Sequence, residues 1–356
     1  MRTSNSIHAV ALLSGGLDSL LATKLIMEQG LNVRCLHMIS PFFGKPNKVQ
    51  HWESLYNLTI ETIDISEKYI EMLQQRPRYG FGKVLNPCID CKMLMMNIAY
   101  NRMLELGASF IISGEVIGQR PMSQRKEALN LISNRVNIQN ILLRPLCAQH
   151  LSPTDPEHSG LVDRTKLLAF FGRGRKEQLQ LANSMGIQEI PTPAGGCKLA
   201  EKENARRYWL VLTKLKNPTV QDFNLANVGR QYWYNNYWLI IGRNKEDNQK
   251  LEVLASQNDT LITLKDIPGP TGLARNTTLW DSKILYEAAS LVASYSQVAI
   301  KKEMPIELQL TSQTESICLT VIPSRTGLFT KECFQFEDVK QAIKNEFHPS
   351  IATAVS

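Results

Sequence analysis

The sequence has no run of roughly eighteen or more apolar residues, and its short apolar stretch at residues 7–13 leads into glycine and aspartate, not into a cleavage-site pattern. A soluble, cytoplasmic protein without membrane contact is therefore expected. The seven cysteines are an odd number, which argues against a framework of structural disulfides and for reduced thiols. His8, His37, His51, His150, His158 and His348 lie apart and make no spaced motif with the cysteines, so core or surface roles are expected for them. The 40 basic residues exceed the 33 acidic ones, giving a formal charge of +7. That balance is compatible with a polyanionic partner but is not gathered into one tail, so it identifies none alone.

What is present suits two domains, because 356 residues of 43% hydrophobic content exceed what one compact domain usually holds. Apolar runs of strand length at residues 7–13, 33–39, 58–65 and 109–113 alternate with helical stretches at 20–29, 69–75 and 93–106. The fold class expected is α/β, a mostly parallel sheet with helices on both faces and a ligand site at the carboxyl ends of its strands.

At the first such end stands Ser14-Gly15-Gly16-Leu17-Asp18-Ser19. Glycines there let the backbone wrap a phosphate, and free N–H groups at a helix start favour negative charge. Ser14 and Ser19 add hydroxyl donors, while Asp18 can cap the helix or help to hold a magnesium ion. The hexapeptide resembles the SGGxDS signature of PP-loop ATP pyrophosphatases and lacks the GxxxxGK[ST] pattern of the P-loop. The resemblance implies that Ser14, Gly15, Gly16, Asp18 and Ser19 bind ATP with Mg2+. It also implies transfer of AMP to a substrate carbonyl oxygen with release of pyrophosphate.

Cys35, Cys147, Cys318 and Cys333 sit singly, and buried cysteines acting as small hydrophobes are expected. Cys88 and Cys91 form a C-x-x-C pair at a helix start, and Cys197 follows Pro193-Ala194-Gly195-Gly196. Three readings stand for this trio: structural cysteines, a persulfide and disulfide relay, and an iron-sulfur cluster on three thiolates, which ligand chemistry favours. Zinc is a further alternative, without a second C-x-x-C to complete a structural site. The pattern resembles tRNA thiolation enzymes, which implies a 4Fe-4S cluster with one open iron and Asp18, Cys88, Cys91 and Cys197 as catalytic residues. Free sulfide or a sulfur-carrier protein would be the donor.

Residues 111–124 bring a strand end, Gly114, Glu115 and Arg120 together and read as an active-site loop. The segment resembles the second nucleotide-contacting loop of 4-thiouridine and 2-thiouridine synthetases, which implies ATP contacts for Gly114 and Glu115. Arg120, Arg144, Arg173, Arg175 and Lys176 are candidate phosphate or RNA contacts; a solvated basic turn accounts for the last three almost as well. No THUMP-like region is read ahead of the loop, unlike the usual 4-thiouridine synthetase layout.

A helical stretch at 201–216 ends at Asn217-Pro218, and the expected domains are 1–216 and 217–356. Tyr232, Trp233, Tyr234, Tyr237 and Trp238 flank an Asn-Asn turn, a hairpin signal whose rings are mostly core candidates, with one or two for stacking on RNA bases. A helix near 283–295 and strands near 306–310 and 316–321 complete a small α+β module. Arg243 and the residues after it, with Asp266-Ile267-Pro268-Gly269, resemble the RNA-binding domain of NFACT proteins over about 225–340. This chain has Thr263-Leu264-Lys265 where that family generally has a histidine. The expected function is ATP-dependent tRNA uridine thiolation, with homodimerisation open. The alternatives are a PP-loop amidotransferase or ligase and a non-catalytic nucleotide- and RNA-binding protein.

Overall fold

The computed structural model describes residues 6–191, 196–302, 304–313 and 315–332, with 337, 339 and 341. Pro193, Ala194, Gly195, Cys333 and His348 lie outside the described residues. The chain forms two compact units, Met1–Ala200 and Glu201–Ser356. Among the described residues no helix is long and apolar enough to cross a membrane.

The first unit runs β1 (Ala9–Leu12), α1 (Leu17–Met27), β2 (Val33–Ile39), α2 (Val49–Tyr56), β3 (Thr59–Asp64), α3 (Ser66–Gln74), α4 (Cys88–Glu105), β4 (Phe110–Ser113), α5 (Lys126–Val136), β5 (Leu142–Leu143), α6 (Asp155–His158) and α7 (Lys176–Ser184). Its five strands are parallel in the order β3-β2-β1-β4-β5. Ala9, Val10 and Ala11 are wholly buried, as a central parallel strand covered on both faces must be. The chain winds outward from β1 to β3 and then crosses to β4 on the other side of β1. The carboxyl ends of β1 and β4 therefore open a crevice where the winding reverses. The α/β expectation holds.

The second unit runs α8 (Lys202–Lys214), α9 (Val220–Ala226), β6 (Arg230–Tyr234), β7 (Tyr237–Ile241), α10 (Lys245–Leu254), β8 (Thr260–Leu264), β9 (Gly272–Arg275), α11 (Ser282–Ala293), α12 (Gln297–Lys302), β10 (Ile306–Thr311) and β11 (Ser316–Val321). Six antiparallel strands lie in the order β11-β10-β8-β9-β7-β6. One face of α11 joins Leu239, Ile262 and Leu308 in the core. The hairpin forms around Asn235 at φ 51°.

The division between units falls at Ala200/Glu201, upstream of Asn217-Pro218. The reason is the packing of α8 on α9: Tyr208 and Phe223 meet at 6.1 Å, and the Tyr208 hydroxyl donates to Asn227 at 2.6 Å. Cys35 and Cys147 are buried as expected, whereas Cys318 is exposed. It lies on β11, an edge strand whose residues are mostly open to solvent.

Candidate functional site

The loop after β1 is shaped from below. Gly15 has φ +74°, and a Cβ there would stand 2.2 Å from the Trp52 ring, so only glycine fits. Trp52 meets the His37 ring edge-on at 5.2 Å. The Lys45 N–H donates to His37 Nε2 at 2.9 Å, which leaves Nδ1 to carry the proton it shares with the Leu13 carbonyl at 2.8 Å. Burial lowers the His37 pKa and keeps the ring neutral. His37 and Trp52, neither assigned a site role from sequence, thus form the floor of the loop.

Gly16 enters α1 in an extended conformation with no side-chain cap on the first turn, which leaves N–H groups directed toward the crevice. Ser19 Oγ donates to the Gly16 carbonyl at 2.8 Å and accepts from the Ser14 N–H at 3.3 Å. Its hydroxyl therefore holds the loop's own backbone.

The loop after β4 abuts the first. A Cβ on Gly114 would lie 2.6 Å from the Asp18 carbonyl, so a larger residue would force the two loops apart. Gln119 donates Nε2 to Asp18 Oδ2 at 2.9 Å, while Asp18 Oδ1 and Gln119 Oε1 are buried acceptors without a donor among the described residues. Burial raises the Asp18 pKa, opposed by Arg175, the Gln119 hydrogen bond and Arg120. Two orphaned acceptor oxygens beside two arginines match a phosphate chain carrying a divalent cation. Arg173 and Lys176 are exposed near Arg175. Gln119 is a residue the sequence reading left without a role; its place straight after the Gly118 turn, at φ 80°, was the available signal.

Glu115 is 1% exposed. Its Oε2 accepts from Arg144 Nε at 3.0 Å, and its Oε1 lies 3.6 Å from Lys92 Nζ. Burial would raise its pKa, but Lys92 and Arg144 together outweigh burial and hold the carboxyl below its usual range. Arg144, expected at a phosphate, is instead consumed inside this cluster and by a bond to the Leu129 carbonyl. The cluster ties the start of α4 to the end of β4 through Lys92, the neighbour of Cys91.

All three cysteines lie within electrostatic reach of Tyr69, and Cys91 is hydrogen-bonded to it. Cys88 and Cys91 lie in the first turn of α4, where the Cys91 N–H donates to the Pro87 carbonyl at 2.8 Å. Cys197 is brought in because Lys198 N–H donates to the Phe42 carbonyl at 2.9 Å and Leu85 N–H to the Leu199 carbonyl at 3.1 Å. Burial pushes the Cys91 thiol up to about 12; the Tyr69 hydroxyl opposes this, and Cys197 and Cys88 add to it. The buried Tyr69 is itself raised by burial and by all three sulfurs. Asn86 Nδ2 donates to Cys88 Sγ at 3.1 Å. Among the described residues, no three His, Cys, Asp or Glu side chains are drawn close enough to hold a metal ion. The sulfurs are thus within electrostatic reach of one another without being closed into such a set. A desolvated thiol at Cys91, with the sulfurs of Cys88 and Cys197 in electrostatic reach, suits a cationic centre chemically, because positive charge beside it reverses the cost of ionising it.

In the second unit, Arg243 donates Nε to Asp247 Oδ2 at 2.6 Å with its side chain 47% exposed. Tyr232, Trp233 and Trp238 are buried, the two indoles stacked at 4.9 Å, while Tyr234 and Tyr237 are half-buried and stacked at 6.0 Å.

With this geometry in view, comparison with known proteins bears out both resemblances. Residues 4–151 match the family model described as thiamine biosynthesis protein (ThiI), and residues 229–328 match that of the NFACT protein RNA binding domain. The chain is similar to the tRNA sulfurtransferase of Desulfurococcus amylolyticus, with 29% identity over 150 residues, 40% of this chain and 30% of that protein. It is also similar to the probable tRNA sulfurtransferase of Methanothermobacter thermautotrophicus, with 32% identity over 195 residues, 53% of this chain and 43% of that protein. In both pairs the match spans less than half of the relative's length. The NH3-dependent NAD synthetase of Campylobacter jejuni aligns at 16% identity with a TM-score of 0.28, covering 54% of this chain and 91% of that one.

Proposed function

We propose that the protein is an ATP-dependent tRNA sulfurtransferase that replaces a uridine carbonyl oxygen with sulfur. The observation that carries the reading is the pairing, in one unit, of a glycine loop floored by Trp52 with three thiols in electrostatic reach of Tyr69. Either alone suits many enzymes. A ligase that uses ammonia has no need of the thiols, and a nucleotide sensor has no need of either turnover or sulfur.

The uridine oxygen is a poor leaving group, so the reaction is divided into activation and displacement. Backbone N–H groups at Gly15, Gly16 and the start of α1 hold the pyrophosphate portion of ATP. Asp18 Oδ1 and Gln119 Oε1 would hold a Mg2+ ion, which would neutralise phosphate charge, and Arg120 and Arg175 offset the rest. The uridine oxygen takes the adenylyl group, pyrophosphate departs, and sulfur then displaces AMP. Cys88, Cys91 and Cys197 would hold an iron-sulfur cluster, which would supply a binding place for sulfide-level sulfur. Tyr69 donates its hydroxyl to Cys91 and fixes that sulfur. The exposed Arg173 and Lys176 extend the positive charge from the site toward the tRNA backbone.

A persulfide relay is the second reading. It is favoured by the Asn86 amide on Cys88, which would stabilise a sulfur anion there. One experiment tests the whole: anaerobic protein is incubated with ATP and a tRNA transcript, and pyrophosphate and thiolated tRNA are measured beside iron and sulfide content. Thiolation with bound iron supports the cluster reading, and thiolation by iron-free protein supports the relay. RNA-dependent pyrophosphate release without thiolation overturns sulfur transfer, and no release at all overturns the enzyme reading.

A further inference from the structure

In the second unit the Tyr232 and Tyr295 hydroxyls are hydrogen-bonded to each other, and two guanidinium groups lie over the Tyr295 ring. Arg230 Cζ is 4.7 Å and Arg325 Cζ 4.9 Å from its centroid. Lys331 Nζ stands 5.8 Å from the Tyr232 centroid. Three cations thus share one aromatic pair. They come from β6, from the segment after β11, and from the residue next to the Trp233–Thr330 bridge, so no contiguous motif announces them.

Among the described residues these cations have no counter-ion. Arg230 donates to the Gly242 carbonyl at 2.9 Å and Arg325 to the Ser294 carbonyl at 3.4 and 3.5 Å. Among the described residues none of the three meets a carboxylate, whereas Lys214, Arg243, Lys250, Lys265 and Arg275 of the same unit all do. Like charges held together without an anion gain most from a polyanion that neutralises them jointly. A guanidinium laid on an aromatic face keeps its in-plane N–H groups for acceptors, and those beyond the bonds to the Gly242 and Ser294 carbonyls can meet phosphate oxygens.

The surroundings favour nucleic acid over an acidic peptide. β6 is one of the two edge strands of the sheet, bridged on its outer side at Trp233 by Thr330, and Arg325 and Lys331 are exposed. Tyr234, which faces the same side of β6 as Tyr232, is stacked with Tyr237 and half-buried. Unstacked bases use such rings, and a chain of carboxylates does not.

We propose that Arg230, Arg325 and Lys331, arrayed on Tyr232 and Tyr295, form the phosphodiester-binding surface by which this unit holds tRNA. The inference rests on the reading of tRNA as substrate and assigns the contact to this cluster rather than to Arg243.

The test titrates the full-length chain into a labelled tRNA transcript by fluorescence anisotropy over a sodium chloride series. Arg325→Gln and Lys331→Gln are each expected to weaken binding several-fold and to lower the slope of log K against log salt by about one, and the double variant by about two. Lys250→Gln, which removes a paired surface charge elsewhere, should leave the slope unchanged. Both substituted residues are exposed, and a thermal melt matching wild type confirms folding. A folded double variant with wild-type affinity and slope overturns the proposal while leaving the thiolation reading intact. Failure of the wild-type chain to bind tRNA overturns both. Tighter binding of labelled poly-glutamate than of tRNA, abolished in the double variant, reassigns the surface to an acidic protein and overturns it too.

Discussion

Each unit buries one charge between two of the opposite sign, with the signs reversed. In the first, Glu115 lies between Lys92 and Arg144; in the second, Arg275 lies between Asp222 and Asp259, at 2.8 and 2.7 Å. The first cluster is part of the candidate site, since Glu115 follows Gly114 and Lys92 follows Cys91. The second joins α9 to β9 and the turn before β8, and none of the cations on the Tyr232–Tyr295 pair belongs to it. The same device, costly to bury and costlier to break, therefore aligns reactive parts in one unit and holds a scaffold together in the other.

The sharpest contrast between the units is in their thiols. A Cys91 pKa raised from 9.0 to about 12 makes alkylation at pH 8 roughly a thousandfold slower than at an ordinary thiol. The exposed Cys318 should take label first. Mass spectrometry of iodoacetamide-treated protein over a pH series checks this, and early labelling of Cys91 would remove the case for a desolvated thiol there.

Next come the buried charges. Glu115→Gln and Arg275→Met should each cost about 3–5 kcal/mol by urea unfolding. Because the folded pKa of Glu115 lies below its ordinary 4.5, its contribution is complete above that pH. The gap between wild type and Glu115→Gln should therefore close as pH falls below it. Arg275→Met should leave ATP binding unchanged in calorimetry, whereas Glu115→Gln should weaken it; equal losses would erase the distinction between site and scaffold.

A smaller effect is expected at Gly15. Alanine there should destabilise by about 1–3 kcal/mol, because Trp52 or the loop must move, and ATP binding should fall more than stability does. The smallest belongs to Arg243→Ala, below about 1 kcal/mol in a melt because its pair with Asp247 is half-exposed. Its tRNA affinity should stay nearer to wild type than that of Arg325→Gln.

The parts legible in the sequence were those whose physics is local. The expected strand at 33–39 coincides with β2, and the glycine loop falls between β1 and α1 as read. The hairpin about Asn235 was visible because turn chemistry is written in adjacent residues. α10 was not, since only Asp247 and Leu251 are buried along it, too few to print a helical period. α5 does carry one, in Ala128, Leu129, Ile132 and Val136, and it begins directly after the 111–124 loop. The ion-pair partners of Arg144 and Glu115 and the aromatic cations of the second unit eluded sequence reading for another reason: a charge reveals its purpose only through its partner, and those partners lie far along the chain.

The bonds from Lys198 to Phe42 and from Leu85 to Leu199 have a further use. They are the stitches that bring the third sulfur to the other two, so the exchange of those two amides with deuterated solvent reports whether that sulfur is docked. A substrate that must draw Cys197 away would speed exchange at Lys198 and Leu85 while the amides of β1 stay protected. Sulfur delivery could then be followed as an opening event, without any spectroscopic signal from sulfur itself.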